Sequence, residues 1–105
     1  MPTDPHKLSE KEFQQQVIDL ARLAGCLVYH TFDSRKSEPG FPDLVIVSSD
    51  MARPIFAEIK TEKGKLTMRQ ELWKAVLEQI PGVDYRLWRP SSWPEIEALF
   101  ARRRS

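Results

Sequence analysis

Cysteine is nearly absent from this chain: Cys26 is the only one in 105 residues. No disulfide can close within the chain and no cysteine-based metal cluster can form, so packing alone must hold the core, as expected in a reducing compartment. No apolar run approaches the ~20 residues of a membrane span. The first residues, with Asp4, His6 and Lys7 around Pro2 and Pro5, lack the apolar stretch of a secretory signal. The expectation is a soluble cytoplasmic protein with no membrane contact. An excess of charge is missing too: 16 Lys and Arg stand against 15 Asp and Glu, a formal charge of +1. Global charge therefore does not announce a nucleic-acid binder, and charge placement must carry that argument.

What is present is enough apolar sequence, 41% of residues, for one small core and little more. The reading is a loose segment at 1 to 8, a domain at 9 to 101 and a basic tail at 102 to 105. A core this small is marginal alone, which makes a homodimer a reasonable expectation.

Ser9 stands at an N-cap position with Glu12 three residues on, and Leu8 and Phe13 are placed for a hydrophobic staple. Phe13, Val17, Leu20 and Ala24 follow at helical spacing and Gly25 ends the run, predicting a helix over 9 to 24. Strands are expected at 26 to 32 and 43 to 48. The second of these is apolar throughout after its opening acid and reads as a central strand covered on both faces. A third strand, 55 to 61, is close enough to form an antiparallel hairpin with it. Thr67 and Gln70 form a second capping box opening a helix over 68 to 80, with Leu72, Ala75, Val76 and Ile80 toward the core and Pro81-Gly82 as its stop. A fourth strand lies at 83 to 88. Ser92, with Glu95 in the reciprocal position, then caps a last helix anchored by Ile96, Leu99 and Phe100, and Trp88 and Trp93 pack beneath it. The order αβββαβα predicts an α/β fold with a mixed four-stranded sheet flanked by helices.

Within this frame the acids are the puzzle. Asp43 opens an apolar strand, while Phe56, Glu58 and Lys60 alternate onto one side of the next. Taken singly, Asp43 is an ordinary loop-to-strand residue, and Glu58 with Lys60 an exposed salt-laced edge. Taken together, Asp43 and Glu58 would converge across the hairpin with an ammonium beside them, an arrangement that is costly unless a cation shares it. Oxygen ligands of this kind suit Mg²⁺ or Mn²⁺, with the Ile59 carbonyl as a further ligand. Such an ion activates water and stabilises a phosphodiester's leaving oxygen, and Lys60 is placed to orient the attacking water or to stabilise the phosphorane. A third acid comes from the first helix: Glu10 falls at the edge of its apolar face, while Glu12 is the substitute already used in the cap. Gln70 either completes its cap or reaches the site. Arg35, Lys36, Lys63, Lys65 and Arg69 surround this end and could hold backbone phosphates, or could be solvated loop residues. His30, a lone histidine, reads first as structural.

Three segments carry a family resemblance: Gly40-Phe41-Pro42-Asp43-Leu44, Phe56-Ala57-Glu58-Ile59-Lys60-Thr61 and Leu66-Thr67-Met68-Arg69-Gln70. In this order they resemble the VRR-NUC domain, a branch of the PD-(D/E)xK nuclease superfamily, as found in small stand-alone phage and bacterial proteins. The resemblance implies a restriction-endonuclease-like core and metal-dependent endonuclease activity on DNA. It matches Asp43 and Glu58 to the family's metal-binding acids, Lys60 to its catalytic lysine, Gln70 to its helix glutamine and Glu10 to its first-helix acid. It also implies homodimers favouring branched DNA such as four-way junctions or flaps. The competing reading is a non-catalytic nucleic-acid-binding module, or a subunit of a larger nuclease, in which the acids are idle.

Overall fold

The computed structural model describes residues 8–31 and 36–104, with side chains through Ala101. Phe32 and Arg35, the tail at 1 to 7 and Ser105 lie outside the described residues, as do the side chains of Arg102 to Arg104. The elements are α1 (Glu10–Leu23), β1 (Leu27–His30), β2 (Leu44–Val47), β3 (Ile55–Ile59), α2 (Met68–Leu77), β4 (Asp84–Trp88) and, after a 3₁₀ turn at Pro90–Ser92, α3 (Trp93–Arg104). Three of the four residues that read as a basic tail thus continue the backbone of α3.

α1 starts where its capping box requires. The Glu12 amide donates to the Ser9 hydroxyl and the Ser9 amide to the Glu12 carboxylate, both at 3.0 Å. Its end is Gly25, at φ +88°, a left-handed conformation that costs glycine little.

The sheet runs β1-β2-β3-β4, antiparallel across the first two pairs and parallel across the last. One face carries Leu44, Ile46, Ile55, Ala57, Ile59 and Trp88, which join Phe13, Val17, Ile18 and Ala21 of α1 and Ile96 and Phe100 of α3 in a single core. Cys26 is a buried filler at its edge. Trp88 packs edge-on against Phe100 at 6.3 Å, and Trp93 against Phe13 at 6.5 Å. The architecture, a mixed four-stranded sheet flanked by helices in the order αβββαβα, is that of a restriction-endonuclease-like fold.

Three details depart from expectation. β2 is covered on one face only: Leu44 and Ile46 are buried, but Val45 is half-buried and Val47 exposed. Continuous apolarity measured how many hydrophobic residues the strand has, not how many layers cover it. α2 is turned so that Leu77 is its buried residue, with Gln70 and Trp73 half-buried, while Leu72, Val76 and Ile80 are exposed. The helix is oriented by polar anchors: the Gln70 side-chain amide donates to Glu58, and the Trp73 indole N–H donates to the Pro39 carbonyl at 3.1 Å. Hydrophobic periodicity does not register such anchors. Finally, Ser92 and Glu95 do not form a cap. The Ser92 hydroxyl accepts from the Arg89 amide, and Glu95 accepts from Arg86 at 2.8 Å and from the Trp88 indole at 3.2 Å. A buried indole N–H requires an acceptor, and that need outweighs the cap.

The other face of the sheet carries Phe56 between Val45 and Tyr85. The Tyr85 hydroxyl is buried there with no hydrogen-bond partner. Burial, and then the Glu58 carboxylate, push its ionisation well above the ordinary tyrosine range. An unsatisfied buried hydroxyl costs about 1–3 kcal/mol, so Tyr85→Phe is expected to stabilise the protein by about 1 kcal/mol in urea unfolding. A clear loss of stability would instead mean that the hydroxyl has a bound partner.

Candidate active site

The antiparallel pairing of Leu44 with Ala57, carried one step further, sets Asp43 opposite Glu58 on the face that bears Phe56. Thr31, whose amide donates to the Asp43 carbonyl at 2.9 Å, and Leu87, paired with Glu58, complete the row. The alternation of β3 thus delivers a glutamate beside an aspartate from the neighbouring strand.

Asp43 is held from two sides. Its Oδ2 accepts the Ile59 amide at 2.8 Å, and its backbone is pinned by Thr31, whose hydroxyl also donates to the Pro42 carbonyl at 3.2 Å. Glu58 is 2% exposed and is the one buried charged residue among the described residues. Its Oε2 accepts from Gln70 Nε2 at 3.1 Å. Burial pushes its carboxyl up to about 9, and the adjoining Asp43 carboxyl pushes the same way, with Lys60 pulling back. Two carboxyls side by side with one buried cannot both ionise cheaply in the absence of a cation.

The two glutamates near the start of α1 sit in different electrostatic surroundings. Glu10 feels the site: burial of its carboxyl raises its ionisation, Asp43 adds to this and Lys60 opposes it. Glu12 is spent on the Ser9 cap, whose hydrogen bonds lower it. Gln70 serves both of its readings at once, since Oε1 accepts the Thr67 amide at 2.9 Å while Nε2 reaches Glu58. Glu10, Asp43, Glu58, Lys60 and Gln70 therefore meet at one end of the sheet. No three or more His, Cys, Asp or Glu side chains among the described residues are grouped closely enough to close around a metal ion.

The basic residues do not form a single track. Lys36 and Lys63 are exposed in their loops, Arg69 is paired with Glu38 at 3.4 Å, and Lys65 lines a separate groove with Glu71, Lys74 and Arg89. Arg35 lies outside the described residues. His30 borders a groove between α1 and β1 with Lys11 and Gln14.

Two supports had no linear signal. Arg89 donates from one nitrogen to the carbonyls of Thr61 at 2.7 Å and Gly64 at 2.6 Å, gathering the loop that follows Lys60. Trp73 fastens the loop before Asp43 through Pro39 and stacks edge-on against Phe41 at 5.1 Å. Both act across more than twenty residues of sequence, and nothing in local spacing announces them.

Comparison with curated proteins and with solved structures gives no match. The VRR-NUC domain model matches residues 6–89, a span that contains every residue of the cluster. A buried glutamate beside an aspartate, with a lysine two positions on, is thus set in the chain of a VRR-NUC domain family member, and the protein belongs to that family with a nuclease-type domain.

Proposed function

We propose that the protein is a metal-dependent endonuclease that hydrolyses phosphodiester bonds in DNA, using Asp43 and Glu58 to hold Mg²⁺ or Mn²⁺ and Lys60 to assist the attack. The observation that carries this reading is the juxtaposition of Asp43 with a buried Glu58 beside Lys60. The residues fit a hard dication: the donors are oxygens, the carboxylate pair is electrostatically costly without one, and two carboxylates plus the Ile59 carbonyl leave room for waters and a substrate phosphate. When bound, such an ion lowers the pKa of a coordinated water and offsets charge on the phosphate oxygens.

The chain's own groups do the rest. The Ile59 amide and the Gln70 side chain fix the two carboxylates in orientation before any substrate arrives, which limits reorganisation during reaction. The Lys60 ammonium orients the attacking water or stabilises charge on the pentacovalent phosphate. Glu10, whose carboxyl feels both Asp43 and Lys60, is the third acid of the site. Of the basic residues, Lys36 and Lys63 are exposed and free to hold backbone phosphates beside the pair, a contact that supplies affinity without sequence choice; Arg69, paired with Glu38, and Lys65, in its separate groove, could join only by leaving those places. Branched DNA, four-way junctions or flaps, is the substrate shape that family membership favours, with two copies of the chain acting together in the cytoplasm.

The test is cleavage of linear duplex, single-stranded, flap and four-way-junction DNA with Mg²⁺ or Mn²⁺, beside EDTA and Lys60→Ala. Cutting is expected to require the ion and to fall roughly 10²–10³-fold in the variant, the usual scale for losing one charge-stabilising group. Absence of cutting on every substrate by folded protein at high concentration would leave a non-catalytic binding module or subunit as the better account.

A further inference from the structure

We propose that the groove between α1 and the end of β1 is a nucleobase pocket, which takes a single nucleotide swung out of the duplex next to the phosphate that is cut. Its volume is about 400 Å³, and it is lined by Lys11, Gln14, Gln15 and Ile18 of α1 with His30 and Thr31 at the end of β1. That size falls within the ~300–1,000 Å³ of small-molecule sites, so one nucleotide fits and a duplex does not.

The groove opens beside the candidate active site. Lys11 follows Glu10 directly, and at ~100° per residue Gln14 stands about 40° from Glu10 around α1, one turn on. Thr31 forms the other wall, and its amide and hydroxyl donate to the carbonyls of Asp43 and Pro42 at 2.9 and 3.2 Å. A nucleotide seated in the groove therefore has the acid pair within reach of its own backbone.

The lining has the chemistry of a base-reading site. Ile18 is buried and supplies an apolar floor, and His30 supplies an aromatic ring of the kind on which unstacked bases rest. Gln14 and Gln15 bring carboxamides, whose paired donor and acceptor match the edges of bases. Gln15 spends its amide nitrogen on Asp19 at 2.8 Å, which leaves its oxygen. Gln14 is half-buried, and its amide has no partner among the described residues. Lys11, exposed at the rim, suits a flanking phosphate.

Shape selects an extruded nucleotide over paired DNA. Bases inside a duplex are read by convex elements, a helix or a ribbon, that enter a groove of the DNA. A concavity does the reverse and receives a base that has left the stack, at a cost of a few kcal/mol that is least where the base is already unpaired. The pocket thus favours cutting next to bulges, mismatches and single-stranded branches. The inference rests on the reading of the site as a nuclease for DNA, and it adds contact with a base where backbone contacts give no sequence choice.

The test is fluorescence anisotropy with duplexes alike except at a central position, which holds a paired adenine, an unpaired adenine or an abasic site. Binding is measured in EDTA and again with Ca²⁺, apart from any cleavage assay. The wild type is expected to bind the unpaired adenine at least about fivefold more tightly than the abasic site, the scale of one or two hydrogen bonds to a base edge. Both defects carry the same phosphates and bend freely, so contact with the base separates them. Gln14→Ala keeps a strong helix former in α1 and is expected to erase the preference, whereas Lys11→Ala should weaken binding to both defects by a similar factor and keep it. Equal affinity of the wild type for the two defects in both buffers overturns the proposal, as does a preference that survives Gln14→Ala. Failure to bind any of the duplexes in either buffer overturns it as well. A preference in a protein that cuts nothing would keep the pocket and remove the nuclease reading, while cutting without the preference would keep the nuclease and remove the pocket.

Discussion

Glu58→Gln is expected to raise the stability of the metal-free protein while removing its cleavage activity. The side chain is 2% exposed, and burial with Asp43 beside it lifts its carboxyl to about 9 in the folded chain. Unfolded, it titrates near the ordinary 4.5. Between those values the folded state holds a proton that the unfolded state has released, so stability falls as pH rises through this window. Glutamine has nearly the same shape, can still accept from Gln70 and has no proton to lose. The two proteins should therefore be alike at pH 4. They should diverge steadily above it, with the variant ahead by about 3 kcal/mol near pH 8, a discounted figure for a shift at ~1.4 kcal/mol per unit. Urea unfolding in EDTA at several pH values measures the divergence. Parallel pH profiles would mean that Glu58 ionises normally and that the pair is not strained. Added Mg²⁺ or Mn²⁺ should reverse the order, because a ligand bound only by the folded state stabilises the wild type. The loss of cutting should exceed the roughly 10–100-fold that removal of an outer-shell partner costs a metal site. Higher stability and lost function in one substitution is the signature of a site held under electrostatic strain.

Most of the scaffold that creates this strain was legible because its determinants are local. The capping boxes of α1 and α2 each span four residues, and the period-two alternation of β3 by itself sends Glu58 and Lys60 to one side. Spacing alone does not fix a hairpin register, and it is the pairing of Leu44 with Ala57 that aligns Asp43 with Glu58. What stayed hidden depends on distant partners. Gln70 could be read as a cap or as a site residue, and it is both because a side-chain amide has two ends. The buried face of α2 departs from its hydrophobic periodicity for the same reason, since Glu58 and Pro39 draw Gln70 and Trp73 inward and leave the more hydrophobic stripe outside. Glu95 reads as a cap residue in the sequence because the indole that claims it lies on another element.

The loop before Asp43 offers the second large effect. Gly40 has φ +86°, and a Cβ placed on it would lie 2.5 Å from the Arg69 carbonyl carbon and 2.6 Å from its oxygen. These are backbone atoms in the first turn of α2 and cannot swing aside. The same contact region is fastened by Trp73 to Pro39 and by Arg69 to Glu38, so the loop cannot retreat without breaking them. Gly25 is the control, because it has φ +88° but nothing within 4 Å of its Cβ position. Gly25→Ala should therefore cost only the left-handed strain, about 1 kcal/mol, whereas Gly40→Ala adds overpacking and should cost about 3 kcal/mol or more. Urea midpoints with unchanged slopes would measure both, and equal losses would show that loop and helix are not in firm contact. The consequence for function follows from adjacency. Gly40 stands three residues before Asp43, and Arg69 one before Gln70, so a Cβ wedged between them displaces the aspartate and the amide that orients Glu58 together. Gly40→Ala should accordingly lose cleavage at temperatures where it remains folded, while Gly25→Ala, at the far end of α1 from Glu10, should cut like the wild type.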